Sequence, residues 1–200
     1  AQYKYIKDNV CQKRFLKNTD RSNSLWMTPI EGSKALFVTE DPLDAIAHSQ
    51  LFPGARYAYL CTGGTSTKAQ REMIHSFSQK FKLPIILGND NDLAGQLENF
   101  KLAYHTANIE YAINSKTQRV LLTVNGAERE WGKDEIVAAL QAVMKQRPNM
   151  ILSIPWAKDW NDDLRSSKKS ISLRIAENMA RVQIETTKSE QRGMIAGKLP

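Results

Sequence analysis

The sequence predicts an α/β fold built on a parallel sheet of about four strands, covered by helices on both faces. Three observations carry that expectation. Short apolar runs of strand length alternate with longer segments whose apolar residues recur at helical spacing. Pro and Gly punctuate the junctions between them. Acidic residues or paired glycines stand directly after four of the predicted strands, at the edge where parallel sheets collect ligands.

Taken in order, Tyr3 to Lys17 mixes aromatic and basic residues in a way that suits short strands, and Asn18 to Ser24 is a polar loop. Leu25-Trp26-Met27 is a brief apolar patch closed by Pro29 and Gly32. Ala35 to Thr39 reads as a buried strand running into Glu40-Asp41-Pro42-Leu43-Asp44. Asp41 suits a helix N-cap, Pro42 the first helical position and Asp44 the third, so a helix starts there. Tyr57 to Leu60 is the next strand, followed by the loop Cys61-Thr62-Gly63-Gly64-Thr65. A helix from about Thr67 to Lys80 aligns Met73, Ile74, Phe77 and Phe81. Ile85-Ile86-Leu87 after Pro84 is the central strand, and a helix from about Leu93 to Thr106 follows. Val120 to Val124, ending in Asn125-Gly126, reads as a strand with a tight turn that pairs with Ile109 to Ile113 as a hairpin. Lys133 to Gln146 is helical by Ile136, Leu140, Val143 and Met144. Met150 to Ile154 is a further strand leading into Pro155-Trp156-Ala157-Lys158-Asp159-Trp160-Asn161-Asp162-Asp163-Leu164. A last amphipathic helix is expected from about Ser170 to Thr187.

Composition bounds the function. With 42% hydrophobic and 24% charged residues, the chain has the make-up of a soluble globular protein. No apolar run approaches membrane-spanning length and no charged-then-apolar leader opens it, so no membrane partner is expected. The first residue is Ala1 rather than Met and the last are Gly197-Lys198-Leu199-Pro200, from which a piece of a larger chain with other domains is expected. Two cysteines, Cys11 and Cys61, have no zinc-ligand spacing and make no disulfide framework, and a reducing cytoplasm is the expected compartment. The net charge of +7 is unevenly placed: residues 1–34 carry seven basic against three acidic side chains, residues 35–164 thirteen against fifteen, and residues 165–200 eight against three. An acidic centre between basic ends suits a metal site working on a polyanion, and equally suits a globule with solvated Lys-rich ends.

The most informative stretch is Gly88-Asn89-Asp90-Asn91-Asp92-Leu93-Ala94-Gly95. In extended backbone, residues i and i+2 point the same way, so Asp90 and Asp92 can aim both carboxylates at one spot. Two like charges held together call for a cation between them, and a hard divalent ion such as Mg²⁺ is the natural occupant. Asp92 is equally placed to cap the helix that follows, and Asp90-Asn91 to make a turn.

A Glu closing a first strand with an Asp four residues on, then a strand followed by Asp-x-Asp-x-Ala-Gly, resembles the Toprim domain of bacterial primases, topoisomerases and some nucleases. The matching residues are Glu40 and Asp44, then Asp90, Asp92, Ala94 and Gly95. Asp159-Trp160-Asn161-Asp162-Asp163-Leu164 resembles the third acidic motif of primase-type Toprim domains. The Lys-Asp-Trp-Asn-Asp form is most similar to the modules of plasmid-mobilisation and mobile-element primase-like proteins. The resemblance covers about residues 34–165, leaving a basic N-terminal extension over 1–33 and a basic C-terminal helix and tail over 166–200. It implies a Rossmann-like sheet. Many members carry Gly directly after the Glu; here Asp41 either adds a carboxylate to the site or caps the helix.

By that resemblance Asp90 and Asp92, with Asp44, would hold Mg²⁺ or Mn²⁺, and Glu40 would act as general acid or base on nucleic acid, single-stranded DNA being the expected partner. Asp159 and Asp162 would complete a second ion site, or make a solvated acidic turn. Asp44 has the alternative role of a capping acid. Gly63 and Gly64 offer backbone N–H groups to a phosphate, or form a bare tight turn, and Lys158 is the best placed of the nearby basic residues to hold nucleic-acid backbone. His48, His75 and His105 fall in helical patterns and read as structural. Trp26, Trp156 and Trp160 suit either packing or base stacking. The expected activity is metal-dependent phosphoryl or nucleotidyl transfer in a primase-like or plasmid-mobilisation protein. The alternatives are strand breakage of nuclease or topoisomerase type, and a non-catalytic module that docks DNA through its metal. No tyrosine announces itself as a topoisomerase nucleophile, and neither a zinc module nor a basic polymerising subdomain is found in these residues.

Overall fold

A computed structural model describes the backbone of residues 2–7 and 10–15, together with residue 20 and residues 22–167. The helix expected over Ser170 to Thr187 lies outside the described residues. The chain divides into two compact units, Ala1–Asp163 and Leu164–Pro200, and the elements below belong to the first unless stated.

Strands β1 (Gln2–Lys7) and β2 (Val10–Phe15) pair antiparallel. The main sheet holds β3 (Trp26–Met27), β4 (Ala35–Thr39), β5 (Tyr57–Cys61), β6 (Ile85–Leu87) and β10 (Met150–Leu152). Its order is β10-β6-β4-β5-β3, with four parallel strands and the short β3 antiparallel on one edge. Every residue of β4 and β6 is buried. Because side chains alternate across a strand, burial of all of them means that both faces of the sheet are covered. This is the doubly covered α/β sheet expected from the sequence, with β3 as an addition.

The helices start where local chemistry favours them. α1 (Pro42–Leu51) has Pro at its first turn, and Asp41 Oδ1 accepts the Leu43 N–H at 2.8 Å. α2 (Lys68–Phe81) opens on a reciprocal capping box, in which Thr67 Oγ1 accepts the Gln70 N–H at 3.1 Å and Gln70 Oε1 accepts the Thr67 N–H at 2.9 Å. α3 (Leu93–Ala103) is capped by Asp92 and is buried along almost its whole length. It ends short of the expected Thr106, with the Tyr104 N–H donating to Phe100 O.

Between α3 and α4 (Lys133–Met144) the chain inserts a second antiparallel sheet of β7 (Ile109–Asn114), β8 (Arg119–Val124) and β9 (Ala127–Trp131). The β7–β8 hairpin was expected. The Asn125-Gly126 turn, with φ of 51° and 86°, connects β8 not to β7 but to β9, whose sequence Ala-Glu-Arg-Glu-Trp carries no apolar run to announce it. Val120 and Leu122 of β8 join Ile136 and Leu140 of α4 and Leu97 and Phe100 of α3 in one core with the main sheet. α5 (Trp160–Ser167) begins in the first unit and continues into the second.

Register brings the parallel strands to one common end. Thr39 pairs with Cys61, Val38 with Leu87, and Leu87 with Leu152. The residues that follow, beginning at Glu40, Thr62, Gly88 and Ser153, therefore leave the sheet along the same edge. The chain runs from β4 to β5 on one side, then crosses back to β6 on the other. Such a reversal opens a crevice at the carboxyl ends of the strands that flank it, here β4 and β6.

Candidate metal centre at the carboxyl edge

Glu40 leaves β4 at that crevice, and its carbonyl accepts the Gly63 N–H at 2.8 Å. Gly63 and Gly64 sit at φ of 75° and 124°, in a region closed to most side chains. The Gly63 amide expected to face a phosphate is thus used to fix Glu40, and the loop enters the site through that bond.

Asp44 lies one turn into α1 and is buried. Asn161 Nδ2 donates to its Oδ1 at 2.6 Å. Burial first, then the charges of Asp159 and Asp41, push its carboxyl up to about 6 despite that hydrogen bond.

Asp90 follows β6 and is half-buried. Its Oδ1 is shielded from solvent and has no hydrogen-bond partner among the described residues. Burial pushes this carboxyl up to about 7, with further contributions from the charges of Asp44, Glu40, Asp92 and Asp159. Five carboxylates from three strand ends therefore act on one another, and they titrate as a set.

A chain of amides holds the Asp90 backbone in place. Asn89 Nδ2 donates to Asn99 Oδ1 at 2.9 Å, Asn99 Nδ2 to Gln96 Oε1 at 3.3 Å, and Gln96 Nε2 to Asp90 O at 2.9 Å. Asn89, Gln96 and Asn99 are all buried. Gly95 allows the first turn of α3 to lie against this loop, since a Cβ there would sit 2.3 Å from Asp90 O.

Asp92 is the N-cap of α3, its Oδ1 accepting the Gly95 N–H at 2.9 Å. Its Oδ2 lies 3.9 Å from Lys158 Nζ, an exposed pair. The capping role uses one oxygen, and the charge of the carboxylate still acts on Asp90. Asp159 is similar: its Oδ1 accepts the Asp162 N–H at 2.8 Å. Asp162 lies in the first turn of α5.

Trp160 anchors this last loop. Its indole is buried against Phe37, His48 and Phe52, and its Nε1 donates to Gly88 O at 2.8 Å. Asp159 and Asn161 flank the anchor and so are delivered to the carboxylates. The Asn91 N–H donates to Lys158 O at 2.7 Å, and Lys133 Nζ to Asn91 Oδ1 at 3.2 Å.

Asn161, Gln96 and Lys133 escaped the sequence reading. Asn161 lies within a motif that was noticed for its acids. Gln96 and Asn99 are polar at helical spacing in a segment expected to pack, and that was the available signal. Lys133 had none, because its place depends on the inserted sheet.

Among the described residues no group of three or more His, Cys, Asp or Glu side chains is placed to hold a metal ion. The donor set nevertheless fits a hard divalent cation: all are carboxylate oxygens, and one, Asp90 Oδ1, is buried without a hydrogen-bond partner among the described residues. His48 takes no part. It is buried, 3.0 Å from the Tyr59 hydroxyl through Nδ1, and desolvation pushes it down to about 3.

Fold and site define an α/β domain with an open parallel sheet and a carboxylate cluster at its switch point. A Toprim-like family model matches residues 37–120. The match takes in Glu40, Asp44, Gly63, Gly64, Asp90 and Asp92, ends before Lys158, Asp159 and Asp162, and supports a Toprim domain in this stretch; such domains are typically metal-dependent and act on nucleic acid. No curated protein and no solved structure matches the chain.

Proposed function

We propose that this domain performs metal-dependent phosphoryl or nucleotidyl transfer on nucleic acid, as the Toprim module of a primase-like or plasmid-mobilisation protein. The observation that carries the reading is Asp90, a carboxylate with one buried and unbonded oxygen, ringed by the charges of Asp44, Glu40, Asp92 and Asp159. Such a cluster is relieved by a cation.

Asp90, Asp92 and Asp44 would hold Mg²⁺ or Mn²⁺, with Asp159 and Asp162 supplying further oxygens on the side of the third motif. When bound, the ion neutralises phosphate oxygens as charge shifts in the transition state. Asn161 orients Asp44 by its hydrogen bond, and the amide chain through Gln96 fixes Asp90. Glu40, set at the end of β4 by Gly63, gives or takes the proton at the reacting oxygen. Lys158 and the Gly64 turn contact the phosphate backbone of a single strand.

The test is calorimetric. Mg²⁺ and Mn²⁺ uptake with a single-stranded oligonucleotide present is compared between wild type and the Asp90→Asn/Asp92→Asn double variant. Loss of uptake in the variant is expected; equal uptake reduces the pair to a turn and a cap, and the reading falls. A second prediction separates catalysis from docking. Glu40→Gln should abolish turnover and spare oligonucleotide binding, whereas unchanged cellular function would favour a non-catalytic module.

A further inference from the structure

We infer that Trp156 is a stacking platform for an unpaired base of a nucleic-acid strand lying along the carboxyl edge. This rests on the nucleic-acid reading above and narrows its substrate to single strands. Four tryptophans are present. Trp160 is 3% exposed and serves the core, whereas Trp156, four residues earlier, is 60% exposed. A single exposed apolar side chain is ordinary on a protein surface. What distinguishes Trp156 is the backbone that presents it.

The N–H groups of Trp156 and Ala157 both donate to the carboxylate of Asp163, to Oδ2 and Oδ1 respectively, each at 2.8 Å. Asp163 is buried, and so is Pro155, the residue before Trp156 in the chain. Two residues on, Lys158 O accepts the Asn91 N–H at 2.7 Å, which pins this loop to the one bearing Asp90 and Asp92. The exposed indole thus stands on backbone fixed by a charged acceptor at one end and by the acidic loop at the other. A ring presented in this way loses little further freedom on stacking.

Charge completes the surface. Lys158, with 64% of its side chain exposed, lies in sequence between the indole and Asp159 and is suited to pair a phosphate of the same strand. Aromatic stacking with a neighbouring cation is how single strands are held without sequence preference. In a duplex both faces of a base are covered by its neighbours, so the platform discriminates against paired substrate.

The test uses fluorescence anisotropy at physiological salt with Mg²⁺ present, the 200-residue chain, and three probes: an oligothymidylate, an abasic strand with the same number of phosphates, and a duplex of equal length. Wild type should bind the oligothymidylate about tenfold more tightly than the abasic strand, and Trp156→Ala should lose about that factor on oligothymidylate alone. Trp156→Phe, which keeps an aromatic face, should retain most of the affinity. Equal binding of the base-bearing and abasic strands by wild type overturns the platform. So does a Trp156→Ala variant that binds all probes like wild type, which would leave the indole for a protein partner, or one that weakens on both single strands alike. In each of those cases the nucleic-acid reading stands. Failure of wild type to bind any probe removes the reading and the platform together.

Discussion

At Gly95 an added Cβ would lie 2.3 Å from Asp90 O and 2.7 Å from Asp90 N. Both are backbone atoms of the loop held by Gln96, so neither can swing aside as a long side chain would. Gly95→Ala gains helix propensity yet forces α3 and the Asp90 loop apart, and the net cost should be about 2 kcal/mol in denaturant unfolding. A variant as stable as wild type would show that the loop yields freely. His48 makes a second prediction. Its folded-state pKa is pushed down to about 3 from an ordinary 6.5. The unfolded chain therefore takes up a proton that the folded one refuses as pH falls below about 6.5, and stability drops with it. His48→Phe removes that proton. Relative to wild type the variant should gain about 2 kcal/mol between pH 7 and pH 5 in urea titrations, on top of a fixed loss from the Tyr59 hydroxyl partner. An unchanged difference across that range would place a charged imidazole in the fold. Asp44 and Asp90, raised rather than lowered, act with the opposite sign and are common to both proteins. Asp44, Asp90 and Glu40 were legible as single residues because acids after strands stand out. Asn161 and Gln96 were not, since what gives them meaning is a partner on another element.

Among the elements, the loop from β10 to α5 depends most on one side chain. Asp163→Ala leaves the Trp156 and Ala157 N–H groups without their charged acceptor and should cost about 2–3 kcal/mol in urea unfolding. Asp163→Asn retains one carbonyl oxygen and should lose about half as much. Equal stability of all three proteins would mean that solvent replaces the carboxylate at no cost. Strands and helices were read with good fidelity where they were apolar or capped: β4 and β6 as buried runs, β5 and β10 as further apolar strands, α1 by Asp41 and Pro42, and α4 by its periodicity. β9 was missed because four of its five residues are exposed and its pairing with β8 is set by the Asn125-Gly126 turn. α5 was missed for a related reason. Its opening Trp-Asn-Asp-Asp has no apolar period, and its first turn is held by Asp159 and by the packing of Trp160. Asp92 is the cap that the sequence allowed, with one oxygen on α3 and the other 3.9 Å from Lys158 Nζ.

For the molecule as a whole, the carboxylate cluster stores repulsion that the metal-free fold carries as a cost. Among the described residues no helix is long and apolar enough to cross a membrane. A divalent cation that binds the folded cluster and not the unfolded chain adds about 2.7 kcal/mol at a hundredfold excess over its Kd. For a chain of this size that is an upward shift in Tm of about 5–10 °C. Asp90→Asn should act in two directions. In EDTA it removes the charge with the largest burden, whose full relief would be about 4 kcal/mol and which solvent screening at a half-buried group reduces to about 1 kcal/mol, so Tm rises. With Mg²⁺ it forfeits the cation, so the variant melts below wild type. This crossing of the two proteins is the signature of a carboxylate kept for a cation, since a residue retained for packing alone would shift Tm by the same amount in both buffers. Parallel shifts in EDTA and Mg²⁺ would therefore count against an ion at Asp90.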